Sequence, residues 1–207
     1  PNATTVIDVG STTTDIISVH DGSVSTIAKT DYERLTEGSL VYVGCRRTPV
    51  CSLVDRLFYR GQVCPVMNEV FATIDDAFLL LEMTPADDTD FDTADNQPRT
   101  IKFAANRIAR MIGLDRRSVS VDDARLMAAE VVAAATAKID SALRRIHRTG
   151  AIVIAGHGQA LLAIDPKTHV DKLSDELGPV AARCAPSYAV AKLYQLQSID
   201  AGIQCGE

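Results

Sequence analysis

The chain has 207 residues, 46% of them hydrophobic, and a formal charge of −6 from 21 basic and 27 acidic side chains. That length buries one good core, or one core with a small appendage. The acidic balance argues against a nucleic acid or an anionic membrane surface as partner, since neither would be held by bulk electrostatics. No apolar run approaches the roughly 18–20 residues of a membrane span, and no basic segment leads into an apolar one as in a secretory signal. Pro1 stands where Met is usual and a strand starts almost at once, so a processed or truncated piece of a longer protein is expected. Five cysteines (Cys45, Cys51, Cys64, Cys184, Cys205) lack the close pairs of a zinc site. Reduced thiols in a cytoplasmic protein are the expectation.

The opening third reads as β structure. Thr5 to Val9, Asp15 to His20 and Val24 to Lys29 are short, β-branched runs separated by turn residues, and Asp21-Gly22 suits a hairpin turn. Leu40 to Val43 predicts a further strand, stopped at Gly44. Between the first two strands lies VIDVGSTTTDIISV: Asp8 ends one strand, Gly10 turns, Ser11, Thr12, Thr13 and Thr14 display hydroxyls, and Asp15 opens the next. Such a tip suits phosphate and hydrated Mg2+, because N–H and O–H groups meet phosphate oxygens while carboxylates hold the metal's waters. The same residues also serve ordinary turns. Three antiparallel strands with this carboxylate-bearing turn resemble the opening of an α/β domain of the ribonuclease H type.

The middle turns helical. Val70, Phe71, Ile74, Phe78 and Leu81 predict a helix over Met67 to Glu82, closed by Pro85. Glu69 and Asp76, seven apart, would share its face and could enter one cleft or simply be solvated. Ala86 to Pro98 then holds five aspartates. An EF-hand fails there, since counting from Asp88 puts Thr93 where Gly is needed and Arg99 where Glu is needed; a solvated, mobile loop is expected. Thr100 to Ile112 and Asp122 to Arg148 are amphipathic helices. The second starts at a Ser120/Asp123 capping box and ends at Gly150. Its stripe (Ala128, Val131, Val132, Ala135, Ile139, Leu143, Ile146) suits core, and its alanines leave a homo-oligomer seam open.

The final third returns to α/β. Ala151 to Ala155 is a buried-type strand, and Gly156-His157-Gly158 turns into a helix around Ala160 to Leu162, where backbone and helix end could approach a nucleotide or substrate. His157 could face that ligand or solvent. A variable stretch follows Pro166, and Pro186 starts a last helix. Arg46, Arg47 and Arg60 (in RRTP and YRG) could grip a second phosphate or a carboxylate, or pair with the acidic loop. Asp31, Glu33 and Arg34 could join either network.

These motifs carry a family resemblance. VIDVGSTTTDIISV resembles the second phosphate motif of the acetate kinase/Hsp70/actin superfamily, and the strand–GHG–helix segment resembles its adenosine motif. The series DVGSTTTDII, TDYERLTEGSLVYVGCRRTPVCSLV, YRGQVCPVMNEVFAT, DTADNQP and NRIARMIG is similar to hydantoinase/oxoprolinase-type proteins linked to tetrahydromethanopterin C1 transfer, over most of residues 4 to 198. The chain departs from that pattern at Thr73-Ile74-Asp75-Asp76 and at Ser18, and lacks the superfamily's first phosphate loop. The resemblance implies one ribonuclease H-like lobe over 1–207, the C-terminal part of a two-lobed protein, with a helical insertion over 66–148. It implies a pyrophosphate-releasing alkyl transferase of methanofuran synthesis, joining a phosphorylated aminomethylfuran to the phenol of γ-glutamyltyramine. Asp8 and Asp15 would hold Mg2+, Asp15 could act as base, Gly10 to Thr14 would bind phosphate, and Arg46, Arg47 and Arg60 would offset charge. ATP is open but not required. An ATP-dependent kinase or hydantoinase-type enzyme, and a non-catalytic nucleotide-binding or assembly module, are the alternatives.

Overall fold

The structure, a computed structural model, describes the backbone of residues 3–147 and 150–204, and the side chains among these up to residue 197. Its centre is a hairpin of β1 (Ala3–Val9) and β2 (Thr14–His20), antiparallel with Val9 opposite Thr14 and Asp8 opposite Asp15. Period-two alternation drives Thr5, Ile7 and Val9 of β1 into the core and leaves Asp8 half-buried on the other side. β3 (Ser23–Val24) extends β2 on the outside, and β4 (Leu40–Val41) pairs Thr14 and Asp15. The strand expected over Val24 to Lys29 is therefore only two residues long. Beyond it the Thr26 hydroxyl donates to Glu37 and accepts from the Ala28 N–H, so local turn bonds replace the ladder.

Between β4 and the end of the sheet come short and long helices. α1 (Asp31–Glu37) has a Thr30/Glu33 capping box and ends at Gly38; α2 (Val50–Leu53) is a single turn. β5 (Arg56–Tyr59) and β6 (Gln62–Pro65) form a separate hairpin. α3 covers only Ile74–Leu80, because Thr73 takes the N-cap position and Asp76 completes its capping box. The predicted helix start at Met67 is wrong for that reason: residues 66–73 form a loop pinned by the Met67 N–H to Met111 C=O bond. α4 (Ile101–Arg110) and α5 (Val121–Ile146) match expectation, including the Ser120/Asp123 box; Arg148 lies outside the described residues.

The stripe of α5 is core. Ala128, Val131, Ala135, Ile139 and Leu143 are buried, with Met127 at the centre, against α3, α4 and β2. Each large apolar side chain so buried contributes roughly 1.5–3 kcal/mol. The alanines let the helices come close. β7 (Ala151–Gly156) then joins β1 in parallel, and β8 (Val170–Lys172) joins β7, giving the order β3-β2-β1-β7-β8. A mixed α/β architecture results. α6 (Leu173–Arg183) is broken at Gly178, whose φ of 78° and ψ of 161° end one helical piece before Pro179 starts another. α7 (Ala185–Gln204) closes the described chain. Among the described residues no helix is long and apolar enough to cross a membrane. Cys45, Cys51, Cys64 and Cys184 are free thiols, and Cys205 lies outside the described residues.

Candidate functional site

The β1–β2 turn is a tight one, closed by the Gly10 N–H donating to the Thr13 carbonyl at 2.9 Å. A loop from residues 44–47 grips it from outside. The Cys45 N–H donates to the Gly10 carbonyl (3.0 Å), and those of Arg46 and Arg47 both donate to the Ser11 carbonyl (3.0 and 2.8 Å). Only Gly fits at position 44, where a Cβ would stand 2.4 Å from the Thr12 nitrogen. Backbone bonds thus bring the arginine pair beside the hydroxyl turn.

On the other side comes the end of β7. The N–H groups of His157 and Gly158 both donate to the Val9 carbonyl at 3.0 Å. Asp8 lies over Gly156, where an added Cβ would meet its Oδ1 at 2.5 Å. The segment after Gly158 is one 3-10 turn (Gln159–Leu161) and not the helix expected around Ala160 to Leu162. The anticipated helix end beside the GHG turn is therefore missing from the site. Its contribution is backbone approach alone.

The cleft formed here has a volume of about 470 Å3. Asp8, Asp15, Gly10, Ser11, Thr13 and His157 line one part of it. Arg46, Arg47, Asp92, Arg183 and Cys184 line the rest. Burial, and then the charge of Asp15, push the Asp8 carboxyl above its ordinary value. Burial, with Arg183 and Arg46 nearby, pushes His157 down, so its imidazole is neutral at physiological pH. Asp15 Oδ1 meets Arg34 of α1 at 2.7 Å, leaving Oδ2 for a ligand. Cys45 is buried and its thiol is pushed up to about 11, which makes it inert.

A divalent cation fits this arrangement chemically. Two carboxylates face each other in register, and burial, then the charge of Asp15, disfavours the ionised form of Asp8, a cost that a cation would offset. Among the described residues no group of three or more His, Cys, Asp or Glu could hold a metal alone. Mg2+ would therefore complete its shell with water and phosphate oxygens, as it commonly does.

Several predicted site residues are placed elsewhere. Thr14 is fully buried and its hydroxyl donates to the Val43 carbonyl at 2.7 Å, so it holds β4 and is no phosphate donor. Arg60 sits on the β5–β6 turn and pairs with Asp123 at 2.9 Å. Glu69 is exposed on the loop before α3, whereas Asp76 is buried against Arg107, so the two do not share a helix face. Arg46 meets the acidic loop at Asp90 (2.7 Å) and Asp92 (3.6 Å), which realises the salt-bridge alternative while keeping it at the cleft. Arg34, expected to join one of the arginine networks, reaches the cleft through Asp15, whereas Arg183 and Cys184 were not singled out as cleft residues by their sequence. A Thr30-x-x-Glu33 box with Gly38 could have shown α1; nothing local marked Arg183.

The fold and this cleft define a mixed α/β protein whose polar, charge-lined site sits at the end of the central strand. A profile of the hydantoinase/oxoprolinase family matches residues 2–197, and the chain belongs to that family. Two relatives carry the name (4-{4-[2-(gamma-L-glutamylamino)ethyl]phenoxymethyl}furan-2-yl)methanamine synthase. That of Methanocaldococcus jannaschii is 32% identical over 198 residues, covering 93% of this chain and 59% of the relative. That of Methanococcus vannielii is 30% identical over 201 residues, covering 91% and 89%. The chain thus spans 59% of the first relative's length.

Proposed function

We propose that this chain is a ribonuclease H-type lobe of the acetate kinase/Hsp70/actin superfamily, with a helical insertion over 66–148, serving a pyrophosphate-releasing alkyl transfer in methanofuran synthesis. The sheet order, with β2 antiparallel and β7 rejoining β1 after the helices, supports the lobe. The two named relatives support the pathway. One observation carries the chemistry: paired carboxylates, two turn hydroxyls and three arginines line a single cleft.

In that reading the phenol oxygen of γ-glutamyltyramine attacks the furan-bearing CH2. The new C–O ether bond forms as the C–O bond to diphosphate breaks, the phenol proton goes to a base, and diphosphate leaves. Ser11 and Thr13 hydroxyls and the turn N–H groups would bind the diphosphate, with Arg46, Arg47 and Arg183 offsetting its charge. Asp8 and the free oxygen of Asp15 would hold Mg2+ through water; the ion supplies charge neutralisation of the leaving group. Asp15, oriented by Arg34, would take the phenol proton. No step consumes ATP.

The test is diphosphate release from the phosphorylated furan and γ-glutamyltyramine with Mg2+ and no nucleotide. Asp15→Ala should cut turnover by about 100-fold or more with an unchanged far-UV spectrum. Turnover that requires ATP, or that survives this substitution, would overturn the reading.

A further inference from the structure

Beside the anion cleft lies a second cavity of about 520 Å3, and His157, Arg183 and Cys184 line both. It is built at the end of the sheet, where Ile154 of β7 and Lys172 of β8 are register partners. The break in α6 at Gly178 opens it, because the second helical piece sets Pro179 and Val180 against it as apolar wall. Val180 is 79% exposed, a large apolar side chain with almost nothing covering it. Its volume falls in the roughly 300–1,000 Å3 range of small-molecule pockets.

The polar lining carries no anion. Lys172 and Arg183 supply positive charge and Ser174 and Gln159 neutral donors, and no carboxylate lines the cavity. Among the described residues neither Lys172 nor Arg183 has a carboxylate partner. In a chain with six more acids than bases, Lys172 stands unpaired at this cavity and Arg183 is shared with the anion cleft, which favours a ligand that brings an anionic group to Lys172.

We propose that this cavity is the subsite for an elongated molecule with an apolar body and a terminal carboxylate, lying with its other end at the anion cleft. Resting on the transferase reading, that molecule is the glutamyl-bearing phenol. Ile154, Pro179 and Val180 flank its aryl-ethyl body, the exposed Lys172 takes its α-carboxylate while the adjoining α-ammonium stays in solvent, and its phenol reaches past His157 toward Asp15. The phosphorylated partner stays on the other side of Arg183.

Calorimetric titration of the whole chain separates the two compartments. γ-Glutamyltyramine should bind, and tyramine, which lacks the carboxylate, about tenfold more weakly. Lys172→Ala should weaken γ-glutamyltyramine by about tenfold, leave tyramine and Mg2+-pyrophosphate unchanged, and be largely rescued by Lys172→Arg. The assignment is overturned if γ-glutamyltyramine does not bind, if it binds no better than tyramine, if Lys172→Ala leaves its affinity unaltered, or if pyrophosphate affinity falls in parallel. Failure of the transferase reading shows differently, as absent diphosphate release in a protein whose Lys172-dependent binding is intact.

Discussion

At the scale of single residues, Asp8 shows stability given up at a site. It is half-buried, faces Asp15 across the hairpin, and has no cation of its own among the described residues. Its raised carboxyl means that the folded chain holds this proton more tightly than the unfolded chain does. Stability therefore falls as pH rises from the ordinary carboxylate value through the folded value. Asp8→Asn removes the penalty. The variant should melt higher than the parent at about pH 7, and the gap should close at about pH 3, where Asp8 is protonated in both states. Mg2+ with pyrophosphate should stabilise the parent and not the variant. A variant that melts lower at neutral pH would make Asp8 a structural residue. Arg34 has the converse role: it occupies one oxygen of Asp15 and fixes where the other points.

At the scale of elements, α3 is fastened by two adjacent acids. Asp75 takes a bidentate clasp from Arg99 (2.6 and 2.7 Å), which also reaches the Pro85 carbonyl at 2.8 Å. Asp76 accepts from Arg107 Nε at 2.7 Å, and Arg107 Nη1 reaches Asp95 at 2.9 Å. Arg107 Nη2 stands 2.7 Å from Asp76 but off the hydrogen-bonding direction. The acidic loop, expected to be free in solvent, is tied to α3 and α4 by these arginines and to the site by Arg46. Burial pushes the Asp76 carboxyl up to about 6, and Arg107 and the Thr73 N–H hold it ionised at neutral pH. Arg107→Ala should cost about 3–5 kcal/mol, because it strands a buried carboxylate. Arg107→Met with Asp76→Leu should recover most of that in chemical denaturation; a mild single variant would mean that the layer is solvated. This layer was not legible in the sequence. Apolar spacing from Val70 to Leu81 predicted a longer helix, since periodicity registers the apolar face and not the cap at Thr73. Local signals were reliable where they were complete, as in the β1–β2 hairpin, α4 and the capped α5. They failed for α6, where Gly178 and Pro179 interrupt the period, and for α1, whose seven residues bury no side chain and so show no apolar period.

At the scale of the whole molecule, β1 is the hub. It pairs with a neighbour in sequence on one side and with β7, after the helical excursion, on the other. The site exists because three distant loops converge on the end of this strand: residues 10–13, 44–47 and 156–158. The hydroxyl turn was readable as local chemistry, but its arginines and Cys184 arrive through tertiary contacts that no local spacing encodes. Gly44 is the joint between two of the loops. A Cβ there would stand 2.4 Å from the Thr12 nitrogen, 2.5 Å from the Ser11 carbonyl carbon and 2.6 Å from the Gly10 oxygen. All three are backbone atoms, so no rotamer change relieves the overlap. Either the 44–47 loop lifts off or the turn deforms, and both break the bonds from Cys45, Arg46 and Arg47. Gly44→Ala should therefore cost about 1–3 kcal/mol and weaken Mg2+-pyrophosphate binding at least about tenfold, although residue 44 offers no side chain to the ligand. The same substitution should leave the binding of γ-glutamyltyramine largely intact, because the cavity proposed for it hangs on β7, β8 and α6. Equal loss of both ligands would mean that the two compartments are one mechanical unit, with the hairpin turn setting the geometry of each.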